Sequence, residues 1–314
     1  MVFYLMKRIA LAVVIVVVAV ILLYTLIQLV PGDPASTILG PRATAEMKAA
    51  LRQRMGLDQP LIVQIGRFLG RLALGDLGMD YFSELPVSHL VFSQLGHTLV
   101  LVFFSMFWAV LVGIPLGCYS ALFRNSPLDK ATGVISIGVI AMPSFVVALY
   151  SLLVFAVLLQ WFPAIGAGES GNLASQAHHL VLPSFAIGLG WVGYIARLVR
   201  ASMLETMGEN HIRTARAFGL QESTIVYRYA MRLAILPTIT MLGTGIGRLI
   251  SSAVFAEIVF ARPGIGRLIY DSVITRNYPV VMGAVVVATA LFVLATTVSD
   301  TVNAFLDPRI REGL

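Results

Sequence analysis

The sequence predicts an all-α polytopic membrane protein with six transmembrane helices. Apolar residues make up 58% of its 314 positions and charged ones 12%, about half the charge of a typical soluble chain. Six apolar stretches are also long enough to cross a bilayer. Backbone groups in hydrocarbon must be paired within the chain, which leaves helices as the spanning form. The formal charge of +6 does not indicate nucleic acid, because the basic residues are scattered through segments between apolar runs, the pattern of topogenic charge.

The first stretch, Ile9 to Val30, follows Lys7 and Arg8 as a secretory signal would. It makes about 33 Å of helix, enough for a hydrocarbon core of about 30 Å and more than a cleaved signal carries. It is read as a retained signal anchor. Further spans are predicted at about 97–121, 132–160, 182–200, 236–260 and 280–304. Ala109, Gly113, Gly117 and Ala121 give the second a close-packing face. Pro143, well inside the third, should kink it. The single cysteine, Cys118, lies in an apolar run and is read as a packing residue.

An even number of spans puts both termini on one side. If that side is the cytoplasm, the inner segments hold Lys7, Arg8, Arg124, Lys130, Arg197, Arg200, Arg213, Arg216, Arg228, Arg232, Arg309 and Arg311. The outer basic residues Arg42, Lys48, Arg52, Arg54, Arg67 and Arg71 fall in one long loop, where the positive-inside rule has little force. Only Arg262, Arg267 and Arg276 oppose the assignment, so both termini are expected inside.

Residues 31–96 are too polar to span and read as an extracytoplasmic helical insertion. Met47, Ala50, Leu51 and Met55 recur at helical spacing before a stop at Gly56. Pro60 can open a second amphipathic helix with Ile62, Ile65, Leu69 and Leu72 on one side and Arg67 and Arg71 more polar. A cap resting on the bilayer is one role for it, contact with an external partner the other. With no internal repeat or low-complexity linker, residues 1–314 are taken as a single membrane domain.

The segment 201–235, between spans four and five, is long for a connection between bundle helices. It reads as two short helices, Ser202 to about Phe218 and Glu222 to about Leu233, jointed at Gly219, where left-handed backbone or a close approach is cheap. Ile212, Ala215 and Phe218, then Ile225, Tyr229 and Leu233, form apolar stripes that either pack back on the spans or meet a soluble partner.

Arg213-Thr214-Ala215, three residues, Gly219, nine residues, then Tyr229-Ala230-Met231-Arg232 resembles the EAA loop of ABC importer permeases, Glu-Ala-Ala, three residues, Gly, nine residues, Ile-x-Leu-Pro. Arg213 replaces Glu and Arg232 replaces Pro, departures usual in the dipeptide, oligopeptide and nickel branch. VPGDPA from Val30, GLDQPL from Gly56, GDLG from Gly75, MPSF from Met142, RPGIGRL from Arg262, NYPVVMGAV from Asn277 and DPRIR from Asp307 are similar to the same branch along nearly the whole chain, and to its B-type permease subunit.

The resemblance implies a type I permease architecture in a bacterial inner membrane. It also implies a heterodimer with a second permease subunit, two cytoplasmic ATPase subunits and an extracytoplasmic solute-binding protein. The loop of this family is a coupling helix that docks into the ATPase, which assigns ATPase coupling to Arg213, Thr214, Ala215, Ala217 and Gly219. Peptides are the expected cargo, with nickel or another small solute as the alternative. The chain itself lacks a phosphate-cradling Gly-Lys-Ser or Gly-Lys-Thr, since Lys7, Lys48 and Lys130 follow Met, Met and Asp. No cofactor is expected here, with ATP and Mg on the partner subunits.

Thr240, Thr244, Arg248 and Ser252 share one face of span five, with Gly243, Gly247 and Ser251 beside them. An arginine near the bilayer centre costs about 2.5–3.5 kcal/mol on insertion scales, so it will not face lipid. Glu257, nine residues on, points to about the opposite side. Arg248 is therefore neutralised by helix carbonyls or by a carboxylate of the partner permease, or it lines the translocation cavity and attracts a carboxylate of a passing peptide.

A membrane enzyme would have to use His178 and His179 with His97 or Glu169. Adjacent histidines share no helix face and no His-Glu-x-x-His pattern occurs, so no catalytic or metal site is expected. Asp300 reads as an interfacial anchor. A stand-alone secondary transporter would call for paired repeats and intramembrane ion pairs, which one central charge fits poorly.

Overall fold

A computed structural model describes residues 2–30, 32–40 and 42–306. Pro31 of the VPGDPA stretch, and DPRIR with Arg309 and Arg311, lie outside the described residues. The chain forms two compact units. One holds the residues up to Thr98 together with Pro263–Val293; the other holds Leu99–Arg262 and the stretch from Leu294.

The first unit contains α1 (Val2–Leu29), α2 (Pro34–Leu39), α3 (Ala45–Met55), α4 (Leu61–Ala73), the start of α5 (Val87–Leu122), α13 (Ile265–Ile274) and the start of α14 (Tyr278–Leu306). Each short helix begins at a residue suited to it. Asp33 accepts from the Ala35 and Ser36 amides ahead of α2, and Thr44 accepts from Met47 ahead of α3. Arg52 of α3 reaches back to Asp33 at 2.8 Å and holds its carboxyl well below the usual range. As predicted, α3 stops at a left-handed Gly56 and Pro60 precedes α4.

The apolar side of α4 does not simply rest on a bilayer. Phe68, with Ile65, Leu69 and Leu72 around it, is buried against Val20 of α1 and Met282 and Val286 of α14, while Ile62 stays 80% exposed. Asp80, in the turn between α4 and α5, accepts from the Phe82 and Ser83 amides and from Asn277 just ahead of α14.

The second unit contains the rest of α5, α6 (Pro127–Ala141), α7 (Ser144–Ser151) with a π-helical turn at Leu152–Leu158, α8 (Leu173–Met207), α9 (Asn210–Ala217), α10 (Glu222–Thr224), a second π-helical turn at Ile225–Ala230, α11 (Met231–Ala234), α12 (Leu236–Val259) and the end of α14. Glycines set its helix spacing. Gly113 faces Ile195 and Val192, and Gly117 faces the Ala196 carbonyl and Val199, so the predicted small face of α5 is the one that meets α8.

The expected kink at Pro143 is a break. α6 and the helix that follows diverge by 102°, with Met142 extended at ψ 125° because the proline ring bars it from helical backbone. The pair still crosses as one span, as its register against α8 shows. Asp129, in the first turn of α6, bonds Arg200; Ser136 and Val139 lie against Gly193; Phe155 meets Phe185 at 6.3 Å; and His178 contacts the Trp161 carbonyl at 3.1 Å. Neighbours thus climb α8 from residue 200 to 178, a rise of about 33 Å, which matches a hydrocarbon core. Counting this pair as one gives six candidate spans among the described residues.

Span four differs from expectation. α8 runs unbroken to Met207, absorbing the first part of the helix predicted from Ser202, and the chain breaks at Gly208 before α9. Polar residues end an apolar run but do not end a helix, so hydropathy placed the boundary too early.

Candidate functional site

The segment after α8 is anchored from within. Ile212 and Ala215 of α9 and Ile225, Val226, Ala230 and Ala234 are buried in one core with Val199 and Met203 of α8. Gly219 turns the chain at φ +75°, and no atom lies within 4 Å of where its side chain would start. The glycine is therefore needed for its left-handed backbone and not for a close approach. Across that turn Arg216 donates to Glu222 through Nη2 at 2.6 Å and Nε at 3.2 Å, which lowers the Glu222 pKa.

The predicted stripes are split. Ile212 and Ala215 go inward, whereas Phe218 is 81% exposed. In the second helix the buried residues are Ile225, Val226, Ala230 and Ala234, and Tyr229 and Leu233 are largely exposed. The π-helical turn explains the shift: it adds a residue to one turn, so Ile225 is followed on its face by Ala230 rather than Tyr229. Of the predicted coupling residues, Arg213, Thr214, Ala217 and Gly219 face outward beside Phe218 and Leu220. Ala215 does not; its small side chain lets α9 settle onto the core. The Arg216–Glu222 clamp was missed by sequence reading, although the two residues flank Gly219 at three positions on each side.

On α12 the predicted polar face is exposed or half-buried along its length. Thr240 donates to the Leu236 carbonyl at 3.2 Å and Thr244 to Met241 at 3.1 Å, Arg248 and Ser251 are exposed, and Ser252 is half-buried. Gly243 meets Ser299 of α14, and Gly245, not singled out from the sequence, meets Trp191 of α8. Glu257 is fully buried and lies close enough to Arg262 to favour its charge, while burial pushes the Arg262 pKa down. Arg262, counted against the topology, is thus an interior charge, and Arg267 sits 3.5 Å from Asp271.

His178 and His179 serve the loop around them: His179 Nδ1 lies 2.8 Å from the Ser175 carbonyl and the His178 ring packs on Phe162. Among the described residues no group of three His, Cys, Asp or Glu side chains is placed to hold a metal ion.

Apolar helices packed through glycines, a central arginine and a helical handle carried beyond the spans are the build of a polytopic transport subunit. The chain belongs to the family described as binding-protein-dependent transport system inner membrane component, which matches residues 113–312; residues 1–102 match the N-terminal region of the same kind of component. It is 36% identical to the glutathione transport system permease protein of Salmonella paratyphi A, over 98% of both chains. It is 33% identical to the dipeptide transport system permease protein of Alkalihalophilus pseudofirmus, over 98% of this chain and 99% of that one. The methionine ABC transporter MetNI, solved in inward-facing conformations, shares the fold at a TM-score of 0.59 and 20% identity, covering 70% of this chain and 97% of its own. The chain is accordingly a multi-pass ABC importer permease of type I architecture, and not itself an enzyme.

Proposed function

We propose that this chain imports peptides across a bacterial inner membrane as one of two paired permease subunits. ATP and Mg bind two cytoplasmic ATPase subunits, and an extracytoplasmic solute-binding protein delivers the cargo. The relatives named for glutathione and for dipeptides support peptide over nickel.

The observation that carries the coupling role is the handle at α9 and Gly219. It is rooted in the core by Ile212 and Ala215, braced by Arg216–Glu222, and shows Arg213, Thr214, Ala217 and Phe218 outward. A handle that is stiff, rooted and apolar at its tip suits transmission of ATPase closure to the spans. Arg124, Lys130, Arg200, Arg213, Arg216, Arg228 and Arg232 all belong to this end of the second unit, which supports termini in the cytoplasm. The Thr240, Thr244, Arg248 and Ser252 face of α12 then lines the cargo path.

Cysteines at Thr214 and Phe218, treated with a short bifunctional crosslinker in inside-out vesicles, are expected to join the ATPase subunit and to do so differently with and without ATP. Reaction of either with an impermeant reagent added outside intact cells would remove the coupling role.

A further inference from the structure

A groove of about 350 Å³ lies along α8, lined by Ile140 of α6 and by Tyr194, Arg197, Leu198 and Ala201. Its position follows from the helix contacts. At 100° per residue, Trp191 marks the side of α8 that meets α12, because it lies against Gly245. Gly193 and Arg200 mark the side that meets α6, through Val139 and Asp129. Tyr194, Arg197 and Ala201 fall between these marks, on the flank of α8 between its α6 and α12 contacts.

Farther along α8 the same stripe is closed. Pro183, Ala186 and Ile187 are buried where α7 packs on both α8 and α12, with Phe145 and Phe255 at 6.0 Å. The break at Pro143 therefore gives the groove a roof, and its open end points toward Arg200. Arg248 projects from α12 about 60° from Gly245 toward the side of Phe255 that meets α7. It sits one turn beyond the Gly245–Trp191 contact, near the roof, with Arg197 about 13 Å closer to the open end.

Every lining residue other than Arg197 is uncharged, and the Arg197 side chain is exposed. An exposed guanidinium on a spanning helix is not turned to hydrocarbon, so the groove that Arg197 borders admits water or solute. A guanidinium with a phenol one turn away matches a carboxylate, which accepts two parallel N–H bonds and an O–H bond.

The geometry points to Tyr194 and Arg197 as a binding station for the carboxylate of an anionic peptide in the inner half of the path, below the Pro143 roof. This rests on the peptide-importer reading and deepens it. Arg248 receives the cargo at the roof, and Arg197 holds it next.

The test uses the assembled transporter with its binding protein in proteoliposomes. ATP-driven accumulation of a defined tripeptide mixture is compared with that of the same mixture as C-terminal amides, with copurification of all subunits as the folding control. Arg197→Gln is expected to lower accumulation of the free acids about tenfold and to spare any amides carried, while Arg197→Lys restores most of the loss. Wild-type accumulation with an unchanged Arg197→Gln variant overturns this station and leaves the importer reading standing. An equal loss for acids and amides assigns Arg197 to another anion, such as a lipid phosphate, and also overturns it. If the wild-type transporter accumulates no tripeptide, the peptide reading falls and the station with it.

Discussion

Arg216 and Glu222 close the turn at Gly219 with two bonds, 2.6 and 3.2 Å long, from opposite sides of the joint. Both side chains are about half exposed, so the pair adds at most about 1 kcal/mol to stability. Its two bonds bridge the turn at Gly219, and under the proposed coupling role that bracing is what the pair supplies. Glu222→Gln is expected to leave the melting temperature within a degree or two while lowering cargo moved per ATP hydrolysed. The Glu222 pKa is lowered in the folded chain, so the stabilisation is present above the unfolded value of 4.5 and is lost as pH falls through the lower folded value. Uptake per ATP in acid should therefore drop toward the Glu222→Gln level, and a variant with wild-type stoichiometry would leave the clamp without a role.

Gly219 separates conformation from space. Its surroundings are empty but its backbone is left-handed, so alanine fits and still costs about 1 kcal/mol. Uptake should fall in the order Gly219, Gly219→Asn, Gly219→Ala, Gly219→Val, because asparagine tolerates this backbone best and β-branched residues worst. A series ordered by side-chain size alone would point to crowding instead.

Gly117 is the opposite case. A side chain there would run into the Ala196 carbonyl and come within 2.9 Å of Val199 Cβ, forcing α5 from α8. Gly117→Val should cost at least the about 1–3 kcal/mol of ordinary overpacking, read as a lower melting temperature in detergent. Gly138→Ala, with no atom within 4 Å, serves as the control and should be neutral or slightly stabilising.

These contrasts show which parts of the structure were legible in the sequence. The spans were, because twenty apolar residues have one affordable conformation in lipid, and the break at Pro143 was, because a missing N–H acts locally. The extension of α8 to Met207 was not, since hydropathy records the edge of the bilayer and not of the helix. Tyr229 and Leu233 part from the buried face of Ile225 because a π-helical turn leaves no mark in apolar spacing. Arg262 looked like a loop charge until its burial beside Glu257 showed otherwise, a contact between residues five apart on a turn whose geometry no motif specifies. Ala215 belongs to a motif whose resemblance implies coupling yet packs inward, because a short motif does not say which of its small residues faces the core.

Asp129 ties three elements together. Its carboxylate accepts from Arg200 of α8 at 2.8 Å, from the Asn125 amide at 2.9 Å and from Ser120 of α5. Asp129→Asn leaves the Arg200 guanidinium half-buried without its counter-ion, the costly way to break such a pair. The melting temperature should fall clearly, and further than with Ser120→Ala, which removes one neutral donor. Asp129→Asn combined with Arg200→Gln should recover part of the loss. Equal stability of the two single variants would show that the ion pair adds nothing beyond a hydrogen bond.

Arg248 decides whether the polar face of α12 carries cargo or only contacts a neighbouring subunit. It stands near the middle of the helix and is exposed on this chain, where lipid would penalise it. If it lines the path, Arg248→Gln lowers uptake of peptides with free carboxylates about tenfold while expression and copurification of the partner subunits hold. If a carboxylate of the second permease neutralises it instead, the same variant weakens copurification first, and uptake falls for every cargo in proportion to the assembled fraction. Normal uptake, selectivity and assembly together would exclude both roles.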